Sequence, residues 1–105
     1  LAGKPFFQRV KESMMACPVV VCCYEGVDAV QIVRSMTGAT NGRVAIPGTI
    51  RGEYCVSSQE NIIHTSDSPK TAAEEVNRFF KPEELFEYKQ CTLQHLYYED
   101  EYKLV

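Results

Sequence analysis

Apolar residues recur along this chain at more than one spacing, and each spacing predicts an element. In residues 4–16, Phe6, Val10 and Met14 repeat every four positions and Phe7 and Met15 stand eight apart. That is the period of a helix with one apolar face. Pro5 suits a first helical turn, and Cys17-Pro18 ends the helix, because a residue before proline avoids helical dihedrals. Residues 18–25 (PVVVCCYE) are apolar without alternation, which predicts a buried strand. Gly26 turns the chain. Residues 28–37 return to helical spacing, with Asp28 as N-cap candidate, Val30, Val33 and Met36 inward, and Gly38 as the C-terminal stop. A short strand is expected over 62–66, where Ile62 and Ile63 are β-branched. Ser68 as N-cap and Pro69 at the first helical position open a helix over 69–80, with Ala72, Ala73, Val76 and Phe80 on one side. The motif PEELFEY (82–88) reads as a turn or short helix, and the tail from Cys91 is aromatic and acidic.

Between the second helix and the second strand lies a long connection, residues 38–60, rich in Gly, Thr, Asn, Ser and Pro. Such a loop inside a small domain is usually functional. It brings glycines next to Thr40, Thr49 and Arg51, so backbone and a cation can approach an anion closely. An ordinary loop with scattered polar residues fits the same composition.

Composition narrows the picture. The chain has 105 residues, enough for one small domain, and 45% hydrophobic with 24% charged residues is ordinary for a soluble globular protein. A net charge of -3 argues against a general nucleic-acid or anionic-membrane binder, which needs a basic surface. No apolar run approaches membrane-spanning length. The five cysteines are odd in number and form no zinc-type pairing, so they read as reduced thiols of a cytosolic protein. The chain starts at Leu1 without a signal-peptide pattern, as a processed product or a fragment does.

The candidate chemistry centres on His64. A histidine at a strand end faces a cleft, and its ring is a usable nucleophile or base near neutral pH. The same position also suits a structural histidine. Glu75, eleven positions later on a helix, is able to fold back toward His64. His64, Arg34, Arg51, Thr40, Asn61 and an aromatic helix carrying Phe6 together suit a nucleoside polyphosphate. Guanidiniums match phosphate oxygens in bidentate fashion and offset charge in phosphoryl transfer. A ring stacks on any base. A neutral imidazole able to carry a phosphoryl group splits the transfer into two half-reactions.

These residues stand in motifs that resemble the nucleoside diphosphate kinase family. NIIHTSDS (61–68) resembles the family's active-site signature, N-x-x-H-(G or A)-S-D. PGTIRG (47–52) is similar to the preceding loop, KPFF (4–7) to the helix that holds the base, RSMTGATN (34–41) to the phosphate-binding helix end, and KPEEL (81–85) to the segment after the last core helix. They occur in family order and spacing over nearly the whole chain. The resemblance implies ping-pong transfer of a γ-phosphate from a nucleoside triphosphate, such as ATP or GTP, to a nucleoside diphosphate. His64 resembles the phosphohistidine, with Glu75 orienting its ring and Ser66 nearby. Arg34, Thr40 and Arg51 resemble the phosphate-binding residues, Asn61 the ribose contact, and Phe6 the residue that stacks on the base, with Val10 beside it. Magnesium is implied on the phosphates with few direct protein ligands. A cytoplasmic homo-oligomer, a hexamer in the family, is implied as well.

The resemblance also implies a fold: α+β, a ferredoxin-like four-stranded antiparallel sheet with flanking helices. Aligned to it, residues 1–105 match the C-terminal two-thirds of one family domain, without its first strand, first helix and second strand. The two strands predicted here then flank an empty slot. The chain departs from the family at Thr65, where glycine or alanine is usual, at Gly42, Ala45 and Ile46, which replace a proline, polar and basic pattern, and at Glu60, often basic. A nucleotide-binding or assembly module with impaired catalysis is the alternative that these departures leave open.

Overall fold

The computed structural model describes Gly3 and residues 6–102. Lys4 and Pro5, which the sequence assigns to the first helix and to the KPFF motif, lie outside the described residues. The elements run α1 (Phe7–Met15), α2 (Ala29–Thr37), α3 (Ile50–Tyr54), α4 (Pro69–Phe79), a 3-10 turn (Pro82–Glu84), α5 (Leu93–Leu96) and α6 (Glu99–Tyr102). The chain divides into two compact units, Leu1–Val21 with Ser35–Thr65 and Cys22–Arg34 with Ser66–Val105.

The first unit is organised by its polar segment. Its buried residues among those described are Thr37, Gly42, Arg51 and Cys55. Gly38 stops α2 as its residue type predicts, at φ 85, a conformation in which a Cβ would strike the Thr49 side chain. Gly42 lies against Cys55 so closely that a Cβ would collide with its carbonyl and sulfur, and its N–H donates to the Ser57 carbonyl at 3.3 Å. The expected loop 38–60 contains a helix, α3. Thr49 makes it possible: its hydroxyl accepts from the Gly52 N–H at 3.0 Å and donates to the Ile46 carbonyl at 2.6 Å. The five-residue helix escapes a periodicity argument because it is shorter than two turns and has glycine inside.

Two expected strands are corrected. Residues 18–25 form neither helix nor strand, and the predicted burial is absent: Val20 is 90% exposed, with Val19, Val21 and Tyr24 also exposed. Residues 62–66 form no strand either, and Ile62 is exposed rather than buried. Apart from an isolated bridge between Pro47 and Thr49, there is no β-structure among the described residues, so the antiparallel sheet is not formed there. A strand is stable only where a neighbour takes its N–H and C=O groups. Apolar composition marks 18–25 as surface suited to covering but supplies no such neighbour.

The second unit contains α4, where the sequence reading holds closely. Ser68 accepts from the Thr71 N–H at 3.1 Å, and Pro69 opens the helix. Ala72, Val76 and Phe80 are half-buried, while Ala73 is exposed. α2 begins after Asp28, whose carbonyl accepts from the Ile32 N–H at 3.0 Å but whose φ of 52 is not that of an extended N-cap. Tyr97 holds the tail: its hydroxyl accepts from the Val27 N–H at 3.4 Å. The second unit has no fully buried residue among those described.

Candidate functional site

Arg51 is the centre of the candidate residues in the first unit. Its position in the first turn of α3 buries it to 5% exposure. The guanidinium donates through Nε to the Asn61 carbonyl at 3.1 Å, through Nη1 to the Gly38 carbonyl at 2.8 Å, and through Nη2 to the Ile63 carbonyl. One cation thus ties the end of α2 to the segment leading into His64. A planar fork with several fixed donors does this where an ammonium does not. The sequence reading pointed to Arg51 for phosphate; these three bonds give it a backbone-organising role that no spacing rule announces.

The segment that Arg51 holds is tightly turned. The Ile63 N–H donates back to the Asn61 carbonyl at 2.8 Å, with Ile62 between them at φ 62. This is a γ-turn with positive φ at a β-branched residue, a conformation costing about 1–3 kcal/mol that persists only where its surroundings fix it. Its consequence is local direction. The chain reverses just before His64, and the His64 side chain is exposed. Upstream, Ser57 Oγ accepts from the N–H groups of Gln59 and Glu60 at 3.1 and 3.0 Å, and the Asn61 side chain donates to the Ser58 carbonyl at 3.3 Å. The Cys55 sulfur reaches the carbonyls of Ser57 and Glu60 at 3.0 and 3.3 Å. Ser57 and Cys55 were not singled out by sequence; the serine three residues before Glu60 was the available signal.

Phe6, the N-cap of α1, is exposed, and Val10, four residues later on the helix, is half-buried. Thr40 is exposed on the loop beyond Gly38. In the second unit, Arg34 is exposed in the last turn of α2, and Ser66 donates to the Glu75 carboxylate at 2.6 Å. That hydrogen bond is short because the acceptor is charged. It brings two of the sequence-predicted catalytic residues together, Glu75 on α4 and Ser66 just before it. Among the described residues, no three His, Cys, Asp or Glu side chains cluster as a metal cage would require.

His64 thus follows directly on the turn that Arg51 holds, and Asn61, Thr40 and Phe6 belong to the same unit. The comparisons specify the family. The family model "Nucleoside diphosphate kinase" matches residues 1–85. The chain is 59% identical over 102 residues to a nucleoside diphosphate kinase of Parabacteroides distasonis, covering 97% of this chain and 67% of that one. It is 46% identical to nucleoside diphosphate kinase B of Bos taurus, covering 92% of this chain and 64% of the relative. Among solved structures, it is similar to the Halobacterium salinarum nucleoside diphosphate kinase in complex with CDP. There the TM-score is 0.87 at 35% identity, covering 90% of this chain and 64% of that one. It is likewise similar to a family protein from Babesia bovis, with a TM-score of 0.86 at 33% identity, covering 91% and 65%. The chain belongs to the nucleoside diphosphate kinase family and has that family's fold. It spans about two thirds of the length of these relatives.

Proposed function

We propose that residues 1–105 are a single nucleoside diphosphate kinase-like domain, the C-terminal two-thirds of the family domain, whose reaction is ping-pong transfer of a γ-phosphate through His64. The observation that carries this reading is the arginine-tied turn: Arg51 fixes the carbonyls of Asn61 and Ile63, and His64 follows directly, exposed. A ring nitrogen of neutral His64 attacks the γ-phosphorus of a nucleoside triphosphate. An N–P bond forms, the bridging P–O bond breaks, and its electron pair leaves with the nucleoside diphosphate. In the second half, a terminal phosphate oxygen of another diphosphate attacks, the N–P bond breaks, and its electron pair returns to the imidazole.

Each residue has a part in this reading. Glu75, held by Ser66, orients and polarises the ring. Arg34 and Thr40 bind the phosphates, and Arg51 adds positive charge at the turn it organises. Asn61 meets the ribose, while Phe6 stacks on the base with Val10 beside it. Magnesium would be held by the nucleotide phosphates rather than by a protein cage, and would supply positive charge there. The CDP bound to the Halobacterium relative supports a nucleoside diphosphate as the acceptor. ATP and GTP are the donors of this proposal, and a homo-oligomer in the cytoplasm is its assembly. The ferredoxin-like sheet belongs to it as well: residues 18–25 supply a strand once the remaining family strands stand beside it.

A second reading, a nucleotide-binding or assembly module without catalysis, is favoured by Arg51 donating to three backbone carbonyls. The two separate on one experiment. The folded chain, incubated with γ-labelled ATP and magnesium, should take up acid-labile, base-stable label that is absent in His64→Ala. A folded chain that takes no label supports the module.

A further inference from the structure

Outside the residues already assigned, one contact joins the base-binding helix to the catalytic segment within the first unit. The Ser13 hydroxyl donates to the Glu60 carboxylate at 2.7 Å, across 47 positions of sequence. Ser13 stands on α1 three residues after Val10, so these two share one helix face, and Phe6 is the N-cap of the same helix. Glu60 immediately precedes Asn61. Its backbone is fixed on both sides, the N–H by Ser57 Oγ at 3.0 Å and the carbonyl by the Cys55 sulfur at 3.3 Å. Arg51 takes the next carbonyl, that of Asn61. The Glu60 carboxylate therefore projects from a backbone held by hydrogen bonds of its own.

We propose that Ser13 and Glu60 are positioning residues, a clamp that sets the distance between the Phe6–Val10 face and the Asn61–His64 segment. The inference rests on the phosphotransfer reading above and assigns that site two further members. A base stacked on Phe6 and a ribose met by Asn61 belong to one rigid nucleotide, so the gap between their contacts decides whether both form at once. Glutamate at position 60 makes the clamp in this chain by accepting the Ser13 hydroxyl proton.

The test is a double-mutant cycle on the full chain with a nucleoside diphosphate as the varied substrate. Ser13→Ala and Glu60→Ala should each raise its KM about three- to tenfold, the range of one lost hydrogen bond, with kcat little changed. The double variant should be no worse than either single one, because both remove the same contact. Ser13→Thr, which keeps a hydroxyl, should return KM to the parent value. Additive effects, an unchanged KM, or a loss confined to kcat would overturn the clamp. If the parent chain takes no label on His64, the phosphotransfer reading falls by itself. The clamp is then judged by hydrogen exchange: Glu60→Ala and Ser13→Ala should both speed exchange of the α1 amides, and unchanged α1 exchange overturns it.

Discussion

Residues 18–25 and residues 38–64 invert what their compositions suggest. The first is the most continuously apolar run of the chain, yet Val20 is 90% exposed and no regular structure forms there. The other has the composition of a loop, yet it contains Gly42, Arg51 and Cys55, all buried. The difference lies in where each segment finds its hydrogen-bond partners. Segment 38–64 satisfies itself: Arg51 takes three carbonyls, Thr49 caps α3, Ser57 takes two N–H groups, and Cys55 takes two carbonyls. A strand has no such local option, because its backbone groups point sideways to a neighbour. Hydrophobicity states that a surface is suited to being covered; it does not supply the cover.

Substitutions can break this contrast, and the largest effect falls at Arg51. Arg51→Ala leaves three carbonyls without their common donor and should destabilise the chain by about 3–5 kcal/mol, read as a lowered midpoint in urea unfolding. Arg51→Lys should recover only part of that loss, since one ammonium cannot span the three acceptors. Gly42→Ala is next. Its Cβ meets the Cys55 carbonyl and sulfur, so overpacking of about 1–3 kcal/mol is expected in the same assay.

A smaller effect sharpens the account of the turn before His64. Ile62→Gly and Ile62→Ala both remove the side chain, but only glycine accepts φ 62 without strain. The glycine variant should be the more stable of the two by about 1 kcal/mol, the reverse of the usual order in a helix. The smallest effect falls in the exposed run. Val20→Thr should change the stability of this chain by less than about 0.5 kcal/mol. A loss of several times that size would mean that the run is covered after all.

The sequence carried α1, α2 and α4 well because their signals are local, and missed the short α3, α5 and α6. Gly38 after α2, and Ser68 with Pro69 at α4, act through their own backbone dihedrals and N–H groups. The motifs around His64 were legible for a different reason, since family spacing preserves the order of chemical groups. What was not legible is three-dimensional. The Arg51 fan of carbonyls, the reach of Ser13 to Glu60 and the γ-turn at Ile62 all depend on where distant segments meet. The strand reading of Ile62 and Ile63 followed β-propensity, and that preference describes a fit to a sheet surface, which tertiary context overrides. Here the Asn61 and Ile63 carbonyls go to Arg51 instead.

The central claim is that a phosphoryl group travels on His64 between two nucleotides. Its most direct test starts from the phosphorylated chain, freed of nucleotide and mixed with an unlabelled nucleoside diphosphate on a rapid-quench timescale. The account predicts that label leaves the protein and appears in the nucleoside triphosphate in equal amounts, with no donor present. Label released only as inorganic phosphate, or transfer that needs the original donor still bound, would contradict it.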